Sequence, residues 1–99
     1  MQCIVWGAGL MGRLLAHSLA QAGHKVHIYD AADSQGHGSA ARIAASMLAP
    51  LAESAITDWP VVQMGQYSLE RWPDLIQSLR APVFFQQAGS LLLWHRQDA

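Results

Sequence analysis

The pattern of apolar and polar positions over residues 1–30 follows the order that a βαβ unit requires. Residues 2–6 are almost entirely apolar, which is typical of a parallel strand buried on both faces. Apolar residues then recur every three or four positions over residues 10–22, which predicts a helix, and Gly23 is placed to end it. Residues 25–29 (KVHIY) alternate and are rich in β-formers, so they predict a second strand parallel to the first.

The next segment predicts a loop and a short helix. Residues 31–39 contain glycine, serine and aspartate, which favour a loop. Residues 40–47 are rich in alanine and predict a short helix, with Ser39 as its N-cap and Pro50 after its end.

The second half of the chain predicts a long helical segment and a hairpin. Asp58 can cap a helix that has Pro60 in its first turn. The apolar positions that follow indicate one long helix or two, because Pro73 lacks a backbone N–H and kinks or splits a helix. Residues 83–86 and 90–94 are short β-rich runs around a Gln-Ala-Gly turn, which predicts a β-hairpin.

The turn between the first strand and the first helix carries the candidate chemistry, a G-x-G-x-x-G motif at residues 7–12 (GAGLMG). Gly7 allows a tight turn, Gly9 has no Cβ to obstruct a pyrophosphate, and Gly12 lets the helix approach the strand. The unpaired N–H groups of the first helical turn attract phosphate. Asp30, at the end of the second strand, can accept hydrogen bonds from a ribose, so the unit predicts dinucleotide binding.

Composition excludes several other classes of function. The 99 residues are 52% hydrophobic and only 13% charged, so we expect the chain to be part of something larger. A net charge of −1 gives no reason to expect nucleic acid as a partner. We expect no membrane span and a cytoplasmic location, since no apolar run approaches about 18 residues and no signal-type segment is present. We also expect no metal site, because the histidines and Cys3 form no zinc-type pattern.

A second motif resembles a known family. Residues 44–50 (AASMLAP), with Glu53 just beyond, resemble the Ala-Ala-Gly-Met-Leu-Ala-Pro…Glu stretch of glycine oxidases, which belong to the D-amino-acid-oxidase-like FAD-dependent oxidoreductases. The spacing from Asp30 and the Gly-Ser-Leu of residues 89–91 are similar as well. The resemblance implies an α/β fold over residues 1–99: the N-terminal part of a Rossmann-type βαβ FAD/NAD(P)-binding domain, followed by a helical segment and a β-hairpin.

The same resemblance implies which residues contact FAD. They are Gly7, Gly9, Leu10, Met11 and Gly12 at the pyrophosphate; Asp30 and Ala31 at the adenosine ribose; Ala40 and Ala41 along the phosphates; and Ala45, Ser46 and Met47, through backbone atoms, toward the ribityl chain and flavin. The chain departs from the family pattern at Ser46, where glycine is usual and where a positive φ is less favourable for serine. Arg42 also interrupts a run that is normally small; we expect it to face solvent, with a phosphate contact as the alternative.

The resemblance implies an FAD-dependent amine or amino-acid oxidoreductase that transfers hydride from a C–H bond next to an amine to the flavin. Its partner would be a small amine or amino acid. In the family, the substrate-binding residues lie later in a longer chain, so the sequence assigns no catalytic residue, and we expect these 99 residues alone to be inactive.

The sequence is also compatible with two other functions. An NAD(P)-dependent dehydrogenase of the β-hydroxyacid type is supported by Gly-Leu-Met-Gly and Asp30, although the expected continuation of alternating strands and helices after residue 30 is missing. A truncated, non-catalytic fragment that binds a dinucleotide or self-associates is supported by the sparse charge and by the exposed sheet edge that we expect.

Overall fold

The structure is a computed structural model that describes residues 1–98. The described chain divides into two compact units. The first unit comprises Met1–Met47, and the second unit begins at Leu48.

The first unit contains the βαβ arrangement that the sequence predicts. Strand β1 (Gln2–Trp6), helix α1 (Leu10–Gln21) and strand β2 (Lys25–Tyr29) follow one another. The strands pair in parallel, in a register that places Gln2 opposite Lys25 and Trp6 opposite Tyr29. The sheet of the described residues has these two strands, so the observed architecture is the opening part of a Rossmann fold rather than a complete one.

Helix α1 contacts both strands and covers one face of the sheet. The buried residues of the first unit are Val5 in β1, at 7% exposure, and Ala16 in α1, at 5%. Ile4 and Trp6 alternate with Val5 and therefore point to the opposite face, where they are 57% and 81% exposed. One face of the sheet thus packs against α1 while the other is open.

The second helix, α2, is shorter than the sequence predicts. It spans Ala40–Ile43 rather than residues 40–47, and Ala44 is already extended, with φ −71° and ψ 154°. Ser46 has a φ of +59°, which a right-handed helix cannot contain. Ser39 occupies the N-cap position, but its side chain makes no capping hydrogen bond.

The second unit is built around helix α3 (Trp59–Ser78). Asp58 is its N-cap residue and Pro60 lies in its first turn, as the sequence predicts, although the Asp58 side chain makes no capping hydrogen bond. The helix continues through Pro73, so the alternative of two separate helices is wrong. Val62 is 1% exposed and is the most deeply buried side chain described.

The predicted β-hairpin is not formed. Residues 83–94 contain no strand in the described part of the chain, which ends with a short 3-10 turn at Arg96–Asp98. An isolated two-stranded hairpin is at best marginally stable in water unless one face is covered. Here Phe84, Leu91 and Leu93 are 89%, 86% and 82% exposed, so no apolar face of this segment is buried.

Among the described helices, none combines the length and the apolar character that crossing a membrane requires.

Candidate functional site

The turn after β1 requires glycine at its first position. Gly7 has a φ of +104°, in the left-handed region that side chains disfavour. Its N–H donates a hydrogen bond of 2.7 Å to the carbonyl of Tyr29, the last residue of β2. The turn therefore begins where the two strands end, and it is held to both.

Gly12 brings the first turn of α1 against this loop. A Cβ at Gly12 would lie 1.9 Å from the Gly7 carbonyl oxygen and 3.5 Å from Cγ1 of Val5. No side chain fits in that space. The close approach of helix and strand that the sequence predicts is thus present, and its tightest contact is with the backbone of the turn itself.

Gly9 leaves a bare stretch of backbone at the start of α1. It is the N-cap residue, its φ is an ordinary −71°, and the first turn of the helix contains no acidic side chain. A Cβ at Gly9 would project toward Oγ of Ser39, at 3.8 Å. The N–H groups of the first helical turn have no acceptor within the helix, so they are available to an anion in front of Gly9.

Asp30 stands beside these N–H groups and joins two loops. Its Oδ2 accepts a hydrogen bond of 2.6 Å from the Ala8 N–H, and its Oδ1 accepts one of 2.7 Å from the Ala32 N–H. The Ala8 N–H lowers the pKa of Asp30 most, followed by the Ala32 N–H, and the Arg13 guanidinium adds a smaller effect. Each carboxylate oxygen retains a second lone pair, so Asp30 can still accept from a ribose hydroxyl.

Two arginines fix the loop that follows β2. Arg13 donates from Nε to the Ala8 carbonyl at 2.6 Å and from Nη2 to the Ser34 carbonyl at 3.1 Å. Arg42 donates from Nη1 to the carbonyl of Gln35. Arg42 therefore has a backbone partner in this loop, which neither sequence expectation for it included.

The same loop contains a hydrogen bond between two side chains, those of His37 and Asp33. Nδ1 of His37 lies 2.5 Å from Oδ2 of Asp33, four residues earlier. The other carboxylate oxygen of Asp33 accepts from the N–H groups of Gln35 and His37, at 3.1 and 3.2 Å. The His37 side chain lowers the pKa of Asp33 most, and the nearby backbone N–H groups add to this effect.

These elements enclose a cleft of about 840 Å³ within the first unit. Most of the residues predicted to contact FAD line it, and these are Gly7, Gly9, Leu10, Met11, Gly12, Asp30, Ala31, Ala40 and Ala41. The three predicted for the ribityl chain and flavin, Ala45, Ser46 and Met47, are not among its lining residues.

Other residues that line the cleft were not predicted from the sequence. These are Trp6, Ala8, Ala32, Asp33, Gly36, His37, Gly38, Ser39 and Ala44. Trp6 also stacks on Tyr29, with ring centroids 5.2 Å apart. The signal available for Asp33 and His37 was their spacing of four residues in a loop rich in glycine; nothing in the sequence singled out Ala8.

The cleft fits the ADP half of a dinucleotide. Its volume lies in the range of about 300–1,000 Å³ that small-molecule sites occupy. It combines free N–H groups at a helix N-terminus, a glycine whose missing Cβ leaves the approach open, and an ionised carboxylate at the strand end. In the described residues, no group of three or more histidine, cysteine, aspartate or glutamate side chains is placed to hold a metal ion.

Comparison with known proteins adds one match. A family model described as FAD dependent oxidoreductase matches residues 2–99, which is almost the whole chain. No curated protein and no solved structure matches it.

Proposed function

The chain belongs to the FAD-dependent oxidoreductase family, and we propose that its first unit binds the ADP half of FAD. FAD is the cofactor of this family. The observation that carries the proposal is that the N-terminal turn of α1 and the Asp30 carboxylate line one cleft. In this proposal the pyrophosphate lies against the glycine turn and the start of α1, and Asp30 and Ala31 hold the adenosine ribose.

Two further groups of contacts belong to the same proposal. Ala40 and Ala41 lie along the phosphates, which is supported by their place in the lining of the cleft. Ala45, Ser46 and Met47 offer backbone atoms toward the ribityl chain and flavin. Their support is the resemblance of residues 44–50 to glycine oxidases, since they lie outside the lining of the cleft.

We further propose that the enzyme oxidises a small amine or amino acid, in the manner of glycine oxidases. The support is again residues 44–50 together with Glu53. When bound, FAD supplies the acceptor for a hydride from a C–H bond next to an amine. The role of the described residues is to bind and orient the cofactor, and none of them is assigned to the chemical step. The family match favours this proposal over an NAD(P)-dependent dehydrogenase.

Calorimetric titration of the full chain with FAD, ADP and riboflavin tests the binding proposal. We expect FAD and ADP to bind and riboflavin, which lacks the ADP half, to bind far more weakly. Gly9→Ala is the informative variant, because the φ of −71° suits alanine. The added Cβ would make only an ordinary van der Waals contact with the protein, at 3.8 Å from Oγ of Ser39. We expect it to fold normally and to bind FAD roughly tenfold more weakly.

Ala20→Val is the matched control for that variant, since it adds bulk at an exposed position of α1 away from the cleft. Its affinity for FAD should equal that of the original chain. Normal binding by Gly9→Ala, or stronger binding of riboflavin than of ADP, would rule out the proposed placement.

Self-association is a second property that we propose for the isolated chain. It is supported by large apolar side chains that are open to solvent, among them Trp6, Met11 and Ile43, at 81%, 81% and 89% exposure. Size-exclusion chromatography with light scattering tests it: a mass that rises with concentration supports association, and a constant monomer mass contradicts it.

A further inference from the structure

The loop between β2 and α2 places one histidine in the cleft. His37 is the only histidine among the described residues that line it. Its Nδ1 is hydrogen-bonded to Oδ2 of Asp33. Oδ1 of Asp33 accepts hydrogen bonds from the N–H groups of Gln35 and His37. Because a carboxylate only accepts hydrogen bonds, Nδ1 carries a hydrogen, and Nε2 is the ring nitrogen left for a ligand.

The charged groups around His37 do not change their charge near neutral pH. Asp30 and Asp33 both have a lowered pKa, so both are ionised throughout this range. Arg13 and Arg42, which hold the same loop through its carbonyl oxygens, remain protonated. Histidine is the type of side chain whose charge ordinarily changes between about pH 5 and 8, and His37 is the histidine that lines the described cleft.

We propose that His37, oriented by Asp33, contacts the cofactor diphosphate and strengthens its binding when the imidazole is protonated. The inference rests on the proposed function, since it needs the diphosphate in this cleft. The protonated ring offers Nε2–H as a charge-assisted donor to a phosphate oxygen, while Asp33 holds the opposite nitrogen. A neutral ring contributes no positive charge, so the affinity for FAD falls as the pH rises.

Calorimetric titration with FAD at about pH 8 and about pH 6 measures this effect. FAD is a suitable probe because its diphosphate bridges two esters and, unlike a terminal phosphate, has no ionisation near pH 6. The side chains of His37 and Asp33 are 61% and 52% exposed, so solvent partly screens the contact between His37 and the diphosphate. We therefore expect binding to be about twofold to fivefold tighter at the lower pH.

Three variants separate the contributions. His37→Gln should remove the pH dependence and leave the affinity near pH 8 almost unchanged. Asp33→Asn should weaken the tightening at the lower pH, because the ring loses the carboxylate that orients it. His95→Gln, in the second unit, should retain the behaviour of the original chain. In the unmodified protein, FAD should shift the NMR resonances of the His37 ring.

The outcomes distinguish the two proposals. If FAD binds at neither pH, the proposed function is wrong and this inference is wrong with it. Binding of FAD that is independent of pH, a pH dependence that survives in His37→Gln, or His37 ring resonances that FAD leaves unmoved would overturn the inference alone.

Discussion

The two units differ in how polar side chains connect distant parts of the chain. In the first unit, Asp30 accepts from the Ala8 N–H and Arg13 donates to the Ser34 carbonyl, contacts that join residues 22 and 21 positions apart. In the second unit, Ser68 donates to a carbonyl four positions earlier, which supports only one helical turn. The first unit thus has hydrogen bonds that join segments distant in the sequence, and these bonds fix the positions of its loops.

A glycine on a helix allows a close approach in both units, but the neighbouring atoms differ. Gly12 in α1 lies against the carbonyl of Gly7, which is part of the proposed site. Gly65 in α3 lies against the ring of Pro50, where an added Cβ would come within 2.7 Å of the proline Cβ. A missing side chain therefore allows close packing in both units, beside the proposed cofactor site in the first and against a proline ring in the second.

The largest effect is expected for Gly12→Ala. The added Cβ would lie 1.9 Å from the Gly7 oxygen, so the helix and the turn must separate. We expect a loss of about 3 kcal/mol or more in the free energy of unfolding, together with loss of FAD binding. Chemical denaturation followed by circular dichroism measures the free energy of unfolding. Ser18→Ala, on the exposed side of α1, is the control; equal stability of the two variants would contradict this account of Gly12.

Gly65→Ala should have a smaller effect. The clash with Pro50 opposes the gain of about 1 kcal/mol that alanine brings to a helix interior, and we expect a net loss of about 1 kcal/mol. The double variant with Pro50→Gly removes the proline Cβ, so in that background the same change should stabilise α3. Hydrogen exchange of the α3 amides measures the stability of the single and the double variant. If Gly65→Ala destabilises α3 with and without the change at Pro50, packing against Pro50 is not the reason for glycine at this position.

The pH dependence of the first unit follows from two carboxylates. Because Asp30 and Asp33 have a lower pKa in the folded state, the unfolded chain binds more protons than the folded chain in the acidic range. Stability should therefore be fully present above about pH 4 and decline as the pH falls further, through the folded-state values. Hydrogen exchange of β1 and β2 amides against pH measures this. Asp30→Asn should flatten the decline, whereas Asp74→Asn in α3 should not.

The smallest effect is expected for Ser46→Gly. Serine at φ +59° costs about 1–2 kcal/mol, which glycine relieves, but glycine loses more backbone entropy on folding. We expect a net gain of about 0.5 kcal/mol, and a loss for Ser46→Val, whose branched side chain disfavours this conformation more strongly. A thermal midpoint that falls for both variants would show that Ser46 has a role beyond backbone conformation.

The predictable part of the fold is the part in which a residue limits its own backbone or that of its near neighbours. Gly7 and Gly12 determine the turn between β1 and α1, and Asp58 with Pro60 determines where α3 begins. The hairpin was not predictable in this way, because pairing of short strands depends on a surface that covers them. The extent of α2 was not predictable in this way, because the helix ends before Ala44, which is extended although alanine favours helices.

The candidate site likewise has features that the residue types predict and features that depend on how the chain folds. The glycine turn and Asp30 were identified because each has a direct stereochemical or hydrogen-bonding reason for its residue type. The Ala8 N–H that binds Asp30 could not be identified, since any residue supplies an N–H. The pair formed by Asp33 and His37 depends on how the loop folds back, which their spacing of four residues alone does not determine.

Backbone amide NMR during titration with ADP tests whether the start of α1 and the end of β2 bind the ADP half of the cofactor. We expect saturable changes in chemical shift that are largest at Gly9, Leu10 and Met11, at the start of α1, and at Asp30 and Ala31 after β2. Changes concentrated elsewhere in the chain, or no saturable change at these amides, would rule out this binding site.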